Sequence, residues 1–195
     1  EIRAAGKKRR YAWDYDEHYD LYSVPLDAPG DPIPRPLTST RGYDAEASWS
    51  PNGREIIFAS NRHAYAEGSG IDPDHLRRDP SYFIDLYRMD ASGRNVQRLT
   101  ESPGYDGGPF FSPDGERVTW RRFSPDGATA EIYSMKRDGT DVQQLTRLGV
   151  MSWAPFYHPS GEYLIFTTSL HGHGNFELYI VDTRGEHDPV RVTDA

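Results

Sequence analysis

The chain has 195 residues, no cysteine and a formal net charge of −8. The lack of thiols excludes disulfides and thiolate metal sites, and suits an oxidising compartment without identifying one. The acidic balance argues against a nucleic-acid partner. No apolar run approaches the length of a membrane span.

The first stretch, residues 1–38, is a worn copy of a unit that the rest of the chain repeats. Arg3-Ala4-Ala5-Gly6 stands where later copies carry a Ser/His-Pro-x-Gly turn. Gly6 precedes Tyr11 by five positions, as Gly53 precedes Phe58, Gly115 precedes Trp120 and Gly161 precedes Phe166. Between them Lys7-Lys8-Arg9-Arg10 forms a basic run, read as a solvated or protected strand edge. Tyr22 and Val24 then fall two apart, on one face of an expected strand, and Gly30 comes after them.

Residues 39–100 give the first full copy: Gly42-Tyr43-Asp44, Ser50-Pro51-Asn52-Gly53, Asp85-Leu86-Tyr87, Gly93 and Arg98-Leu99-Thr100. Residues 101–146 repeat it as Gly104-Tyr105-Asp106, Ser112-Pro113-Asp114-Gly115, Glu131-Ile132-Tyr133, Gly139 and Gln144-Leu145-Thr146. Residues 147–195 repeat it again from His158-Pro159-Ser160-Gly161 to Arg191-Val192-Thr193, with Val150-Met151-Ser152 in place of Gly-Tyr-Asp. Pro113 to Pro159 and Tyr133 to Tyr179 are both 46 positions. A constant period of this size signals a repeat architecture.

Each copy holds four short runs rich in aromatic and β-branched residues, separated by turn residues. In residues 101–146 these are Gly108 to Phe111, Arg117 to Arg122, Glu131 to Met135 and Val142 to Thr146. Proline, aspartate and glycine each supply a separate requirement of a tight turn. The third run is apolar on both faces, as in Leu86 against Tyr87 and Met89, so both faces are expected to be covered. Four-stranded antiparallel sheets stacked around an axis achieve this. The expected fold is an all-β propeller with about four blades, bounded near residues 38, 100 and 146.

The Ser-Pro-Asp-Gly turn with a later Asp/Glu-Leu/Ile-Tyr resembles the TolB-type β-propeller repeat, a WD-like unit, over essentially the whole chain. That resemblance implies a six-bladed ring, of which this chain is expected to be a segment. It also implies a bacterial periplasmic or secreted setting. It is specific for fold and poor for function.

Strand alternation puts the loops near 14–20, 39–46, 61–84, 101–108, 123–130, 147–154 and 169–176 on one face, the natural place for a site. Five of the seven histidines fall there: His18, His63, His75, His171 and His173. His171-Gly172-His173 is a weak metal candidate, because zinc needs three or four ligands. The expectation is no metal and no cofactor. Asp44 and Asp106 precede the innermost strands; such aspartates more often hold their own loops than grip a basic partner. Ser152 and Trp153 take their place in the last copy, and Trp153 is the better contact because aromatics anchor interfaces.

Gly53 to Tyr87 spans 34 positions, against 18 for Gly115 to Tyr133 and for Gly161 to Tyr179. Inside this insertion Asp72-Pro73 predicts a capped short helix that carries His75 and Arg77, a lid, a partner surface or a tolerated excursion. Ser124-Pro125-Asp126-Gly127 copies the turn motif between the second and third strands and is read as a hairpin turn, not a site.

No Gly-x-Ser-x-Gly elbow and no His-Glu-x-x-His motif occurs, so no catalytic residue is expected in this segment. The expected function is a non-catalytic scaffold binding a protein or peptide on the loop-rich face, through Asp44, Asp106, Ser152, Trp153, His75 and Arg77. The resemblance adds two alternatives. One is an accessory propeller gating substrate for a covalently linked peptidase domain; the other is a metal-dependent polysaccharide lyase.

Overall fold

A computed structural model describes residues 15–27 and 29–194. The first sheet among the described residues is two-stranded, with β1 (Tyr22–Ser23) and β2 (Arg35–Pro36). Three antiparallel four-stranded sheets come next in sequence order. The first contains β3 (Asp44–Trp49), β4 (Glu55–Ser60), β5 (Asp85–Asp90) and β6 (Gln97–Arg98). The second contains β7 (Asp106–Phe111), β8 (Arg117–Phe123), β9 (Ala130–Lys136) and β10 (Gln143–Gln144). The third contains β11 (Ser152–Tyr157), β12 (Tyr163–Thr168), β13 (Glu177–Asp182) and β14 (Val190–Arg191). These are three complete blades and the outer half of a fourth. The expected strand after Gly6 and the basic run Lys7 to Arg10 lie outside the described residues.

The core lies between blades. Ile57, Ala59, Ile84 and Leu86 of one sheet pack on Val118, Trp120 and Met135 of the next. Ile132 and Leu145 pack in turn on Leu164, Phe166, Tyr179 and Val181. Ile56, Phe58, Tyr87 and Met89 face the other way, onto Leu37 and Leu21. Strand alternation therefore feeds two interfaces from one sheet, which is why the third run is apolar on both faces. Each large side chain fully buried there contributes about 1.5–3 kcal/mol.

The repeated motifs are hydrogen-bonding devices. Ser112 Oγ donates to Asp114 Oδ1 at 2.6 Å and accepts the Arg117 N–H at 2.9 Å, closing the Ser-Pro-Asp-Gly turn. The threonine ending each copy locks the outer strand. Thr38, Thr100, Thr146 and Thr193 hydroxyls each accept, at 2.9 Å, the N–H of Leu21, Leu86, Ile132 and Leu178. In every case the same hydroxyl donates to an acid just before: Asp20, Asp85, Glu131 or Glu177. This device also shortens the fourth strands relative to expectation. Residues 142–146 form a ladder only at Gln143–Gln144, because the Thr146 side chain takes over the next pairing.

Candidate functional site

Each inner strand carries a bulge at the same place, between Ala45 and Ser48, Gly107 and Phe110, and Trp153 and Phe156. At each bulge one residue has left-handed backbone: Glu46 (φ 53°), Gly108 (φ 62°) and Ala154 (φ 52°). A bulge re-aims the side chains around it. The Glu46 carboxylate crosses to the neighbouring blade, accepting the Gly108 N–H at 2.8 Å and Arg121 Nη2 at 2.6 Å. Arg121 also donates to the Tyr105 hydroxyl at 3.2 Å.

Thus anchored, the Arg121 guanidinium lies 5.0 Å from the Tyr105 ring centre, 5.9 Å from Phe123 and 5.8 Å from Trp153. Tyr105 and Phe123 stack with centroids 5.4 Å apart. Trp153 continues the row at 6.2 Å from Phe123 and 6.1 Å from Phe176. Burial, with the Glu46 charge adding to it, pushes the Tyr105 phenol well above its usual range. It is a neutral hydrogen-bonding group at working pH.

Tyr105, Phe123 and Trp153 line a cavity of about 180 Å³ on the loop-bearing face, which Tyr15 of the first copy also borders. Its walls also include Tyr82 from the insertion, Met151 and His173. The turn Ser124-Pro125-Asp126-Gly127 and Asp79 line it as well, with Asp126 exposed and Asp79 half-buried. Ser124 Oγ donates to Asp126 Oδ1 at 2.6 Å, and Gly127 N–H returns to the Ser124 carbonyl at 2.8 Å. The Ser124 hydroxyl and the Ala128 amide hold the Asp126 carboxyl below the usual range, so it is charged at neutral pH. The turn expected to be only a hairpin therefore borders the cavity.

Only part of the residue set expected from sequence meets there. Trp153 does, half-buried in the wall. Asp44 and Asp106 do not present carboxylates to solvent: they are 1% and 0% exposed. Each instead pairs with an arginine, Asp44 with Arg62 in the helical turn just after β4 and Asp106 with Arg122 near the end of β8. Nor are backbone amides their main partners, as expected from sequence; the arginine side chains are. Ser152 is fully buried, its hydroxyl 3.4 Å from that of Thr168.

The predicted helix is present as α1 (Pro73–Arg78), with Asp72 Oδ1 accepting the Asp74 N–H at 3.0 Å. His75 is an internal packing group, its ring 4.7 Å from Tyr82 and 4.9 Å from Phe83. Arg77 is exposed, paired with Asp74 at 2.7 Å, and lines a neighbouring polar depression beside Glu17 and Arg41. The insertion reaches the cavity through Asp79, Ser81 and Tyr82 instead, and forms a wall of it.

His171 and His173 are drawn to different rings: His171 Nε2 lies 2.7 Å from the Tyr179 hydroxyl, and His173 packs edge-on to Phe176. The described His, Asp and Glu side chains that converge in a group of three are Asp182, Glu186 and His187, the last two exposed, in another region.

Tyr82, Tyr105 and Phe123, which line the cavity, and Arg121, which braces it, are absent from the set expected from sequence. A signal existed. The second strand reads Phe58-Ala59-Ser60-Asn61 and Phe166-Thr167-Thr168-Ser169 in two copies, but Trp120-Arg121-Arg122-Phe123 in the other. Departure from the repeat marked the place that its own fold did not require.

Known proteins place this architecture. The solved structure of TolB from Acinetobacter baumannii superposes with a TM-score of 0.67, at 24% identity, over 92% of this chain and 38% of that one. The fold is that of the TolB-type β-propeller. A TolB homolog of Chlorobium chlorochromatii is 34% identical over 74 residues, 34% of this chain and 17% of the relative. Dipeptidyl-peptidase 5 of Porphyromonas gingivalis is 30% identical over 106 residues, 53% of this chain and 14% of the relative. The propeller thus spans well under half the length of each of these proteins. No family model matches the chain.

Proposed function

We propose that this propeller is a non-catalytic scaffold that binds a protein or peptide through the aromatic cavity on its loop-bearing face. The observation that carries the reading is the convergence of Tyr82, Tyr105, Phe123 and Trp153, from four loops of three blades, on one cavity. Buried aromatics on a rigid frame are what concentrate binding energy at interfaces. The similarity to TolB supports a role of this kind in a larger ring, in a bacterial periplasmic or secreted setting. Screening an immobilised peptide array tests it. Trp153→Ala is expected to lose the captured peptides, weakening each by about 2 kcal/mol or more, while its circular dichroism and cooperative unfolding persist. Capture that is unchanged in Trp153→Ala removes the cavity from the site.

A second reading is favoured by the similarity to dipeptidyl-peptidase 5: the same disc presents or restricts substrate for a linked peptidase domain. The intact gene decides between them. A downstream hydrolase domain with its own nucleophile or metal motif supports the accessory role; additional blades alone support the binding protein.

A further inference from the structure

We infer that the aromatic cavity receives a single basic side chain, lysine or arginine, from an extended segment of the partner. The inference rests on the peptide-binding reading and deepens it. Size comes first. At about 180 Å³ the cavity is smaller than the roughly 300–1,000 Å³ typical of small-molecule sites. It suits one long side chain rather than a free metabolite.

Chemistry comes second. Tyr82, Tyr105, Phe123 and Trp153 offer ring surface to an aliphatic stem or a guanidinium plane. The acidic lining residues are Asp79, which accepts the Ser81 hydroxyl at 2.5 Å, and Asp126, and the described lining residues include no lysine or arginine. Arg121, beside the rings but outside the described lining, is already neutralised by Glu46 at 2.6 Å and held at 11% side-chain exposure. The described lining therefore carries acid without lysine or arginine, beside aromatic walls, which selects a cation with an apolar stem over an acidic or short polar side chain. Neutral aromatic and aliphatic side chains satisfy the walls but bring no charge to the two carboxylates.

The test is calorimetric titration of the chain with four blocked tripeptides, acetyl-Ala-Xaa-Ala-amide, where Xaa is arginine, lysine, citrulline or norleucine. Citrulline keeps the shape of arginine and removes its charge. The arginine and lysine peptides are expected to bind about tenfold more tightly than the citrulline and norleucine peptides, with the preference shrinking at high salt. Trp153→Ala should abolish binding of all four. Asp126→Asn should reduce the preference for charge while preserving the turn. Asn52 already makes the equivalent bonds in Ser50-Pro51-Asn52-Gly53, accepting from Ser50 Oγ at 2.9 Å and from Arg54 N–H at 3.0 Å. Equal affinity for arginine and citrulline, still lost in Trp153→Ala, overturns the cationic specificity and leaves the peptide-binding reading standing. Binding of no tripeptide overturns the specificity; if the peptide array also captures nothing, the peptide-binding reading falls with it.

Discussion

His63 and Asp85 share one polar cluster and titrate in opposite senses. His63 Nδ1 lies 3.2 Å from the Tyr87 hydroxyl and 3.7 Å from Asp85, while Arg98 reaches Asp85 at 2.6 Å. Burial, helped by the Arg98 charge, pushes His63 down to about 4. Burial pushes Asp85 up to about 6, outweighing the attraction of Arg98. An imidazole with a depressed pKa stabilises the fold above about 6.5, and that contribution is lost as pH falls toward 4. A carboxyl with a raised pKa contributes fully below about 3.8 and loses it as pH rises through 6. Between pH 6.5 and 4 the two offset. Thermal melts across that window should show Tm of His63→Gln rising relative to the parent as pH falls, and Tm of Asp85→Asn dropping. Three parallel curves would contradict the assignment. Arg122 offers a plainer case: it holds the buried Asp106 through Nε and Nη2, both at 2.7 Å. Arg122→Ala strands that charge and should cost about 3–5 kcal/mol in urea denaturation. The exposed Arg77–Asp74 pair is the control, and Arg77→Ala should cost about 0.5 kcal/mol or less.

At the scale of elements, the turn between the third and fourth strands sets the spacing of blades. Gly93 has φ 84°, and a Cβ there would sit 2.2 Å from the Leu37 carbonyl oxygen of the preceding blade. Gly127, on the cavity lip, has φ 68° and open space around its Cβ position. Gly127→Ala should cost about 1–2 kcal/mol from left-handed backbone alone. Gly93→Ala should cost more, because the blade–blade contact must also open. Equal losses in the two variants would show that blade approach is not limiting. Packing governs the insertion in the same way. Its helix is too short to be stable by itself, and the ring cluster of His75, Tyr82 and Phe83 packs it into a wall.

For the whole molecule, stability is a sum over neighbouring blades, since each sheet buries its faces only against the next. Such a scaffold holds a surface site rigidly, and the binding reading proposed above asks no chemistry of it. The purified chain is therefore expected to release no product from dipeptidyl or tripeptidyl chromogenic substrates. Turnover that persists through purification and tracks the chain's own elution profile would reverse that expectation.

The repeat was legible because its motifs are local. The Ser-Pro-Asp-Gly turn, the acid before Leu-Tyr and the closing Leu-Thr each fix hydrogen bonds within one sheet, so their spacing alone specified a propeller of four-stranded blades. The capped helix at Asp72-Pro73 was legible for the same reason. The cavity proposed as the site was not, apart from Trp153 in its wall. Whether Asp44 and Asp106 faced solvent or Arg62 and Arg122 depended on tertiary placement: Arg122 stands opposite Asp106 in register, while Arg62 reaches Asp44 from the helical turn just after β4. The cavity is made by residues far apart in sequence, Tyr82, Tyr105, Phe123 and Trp153, each at a different loop. Sequence period determined the blades because backbone bonding is local; only the stacking of blades decided which side chains share a wall.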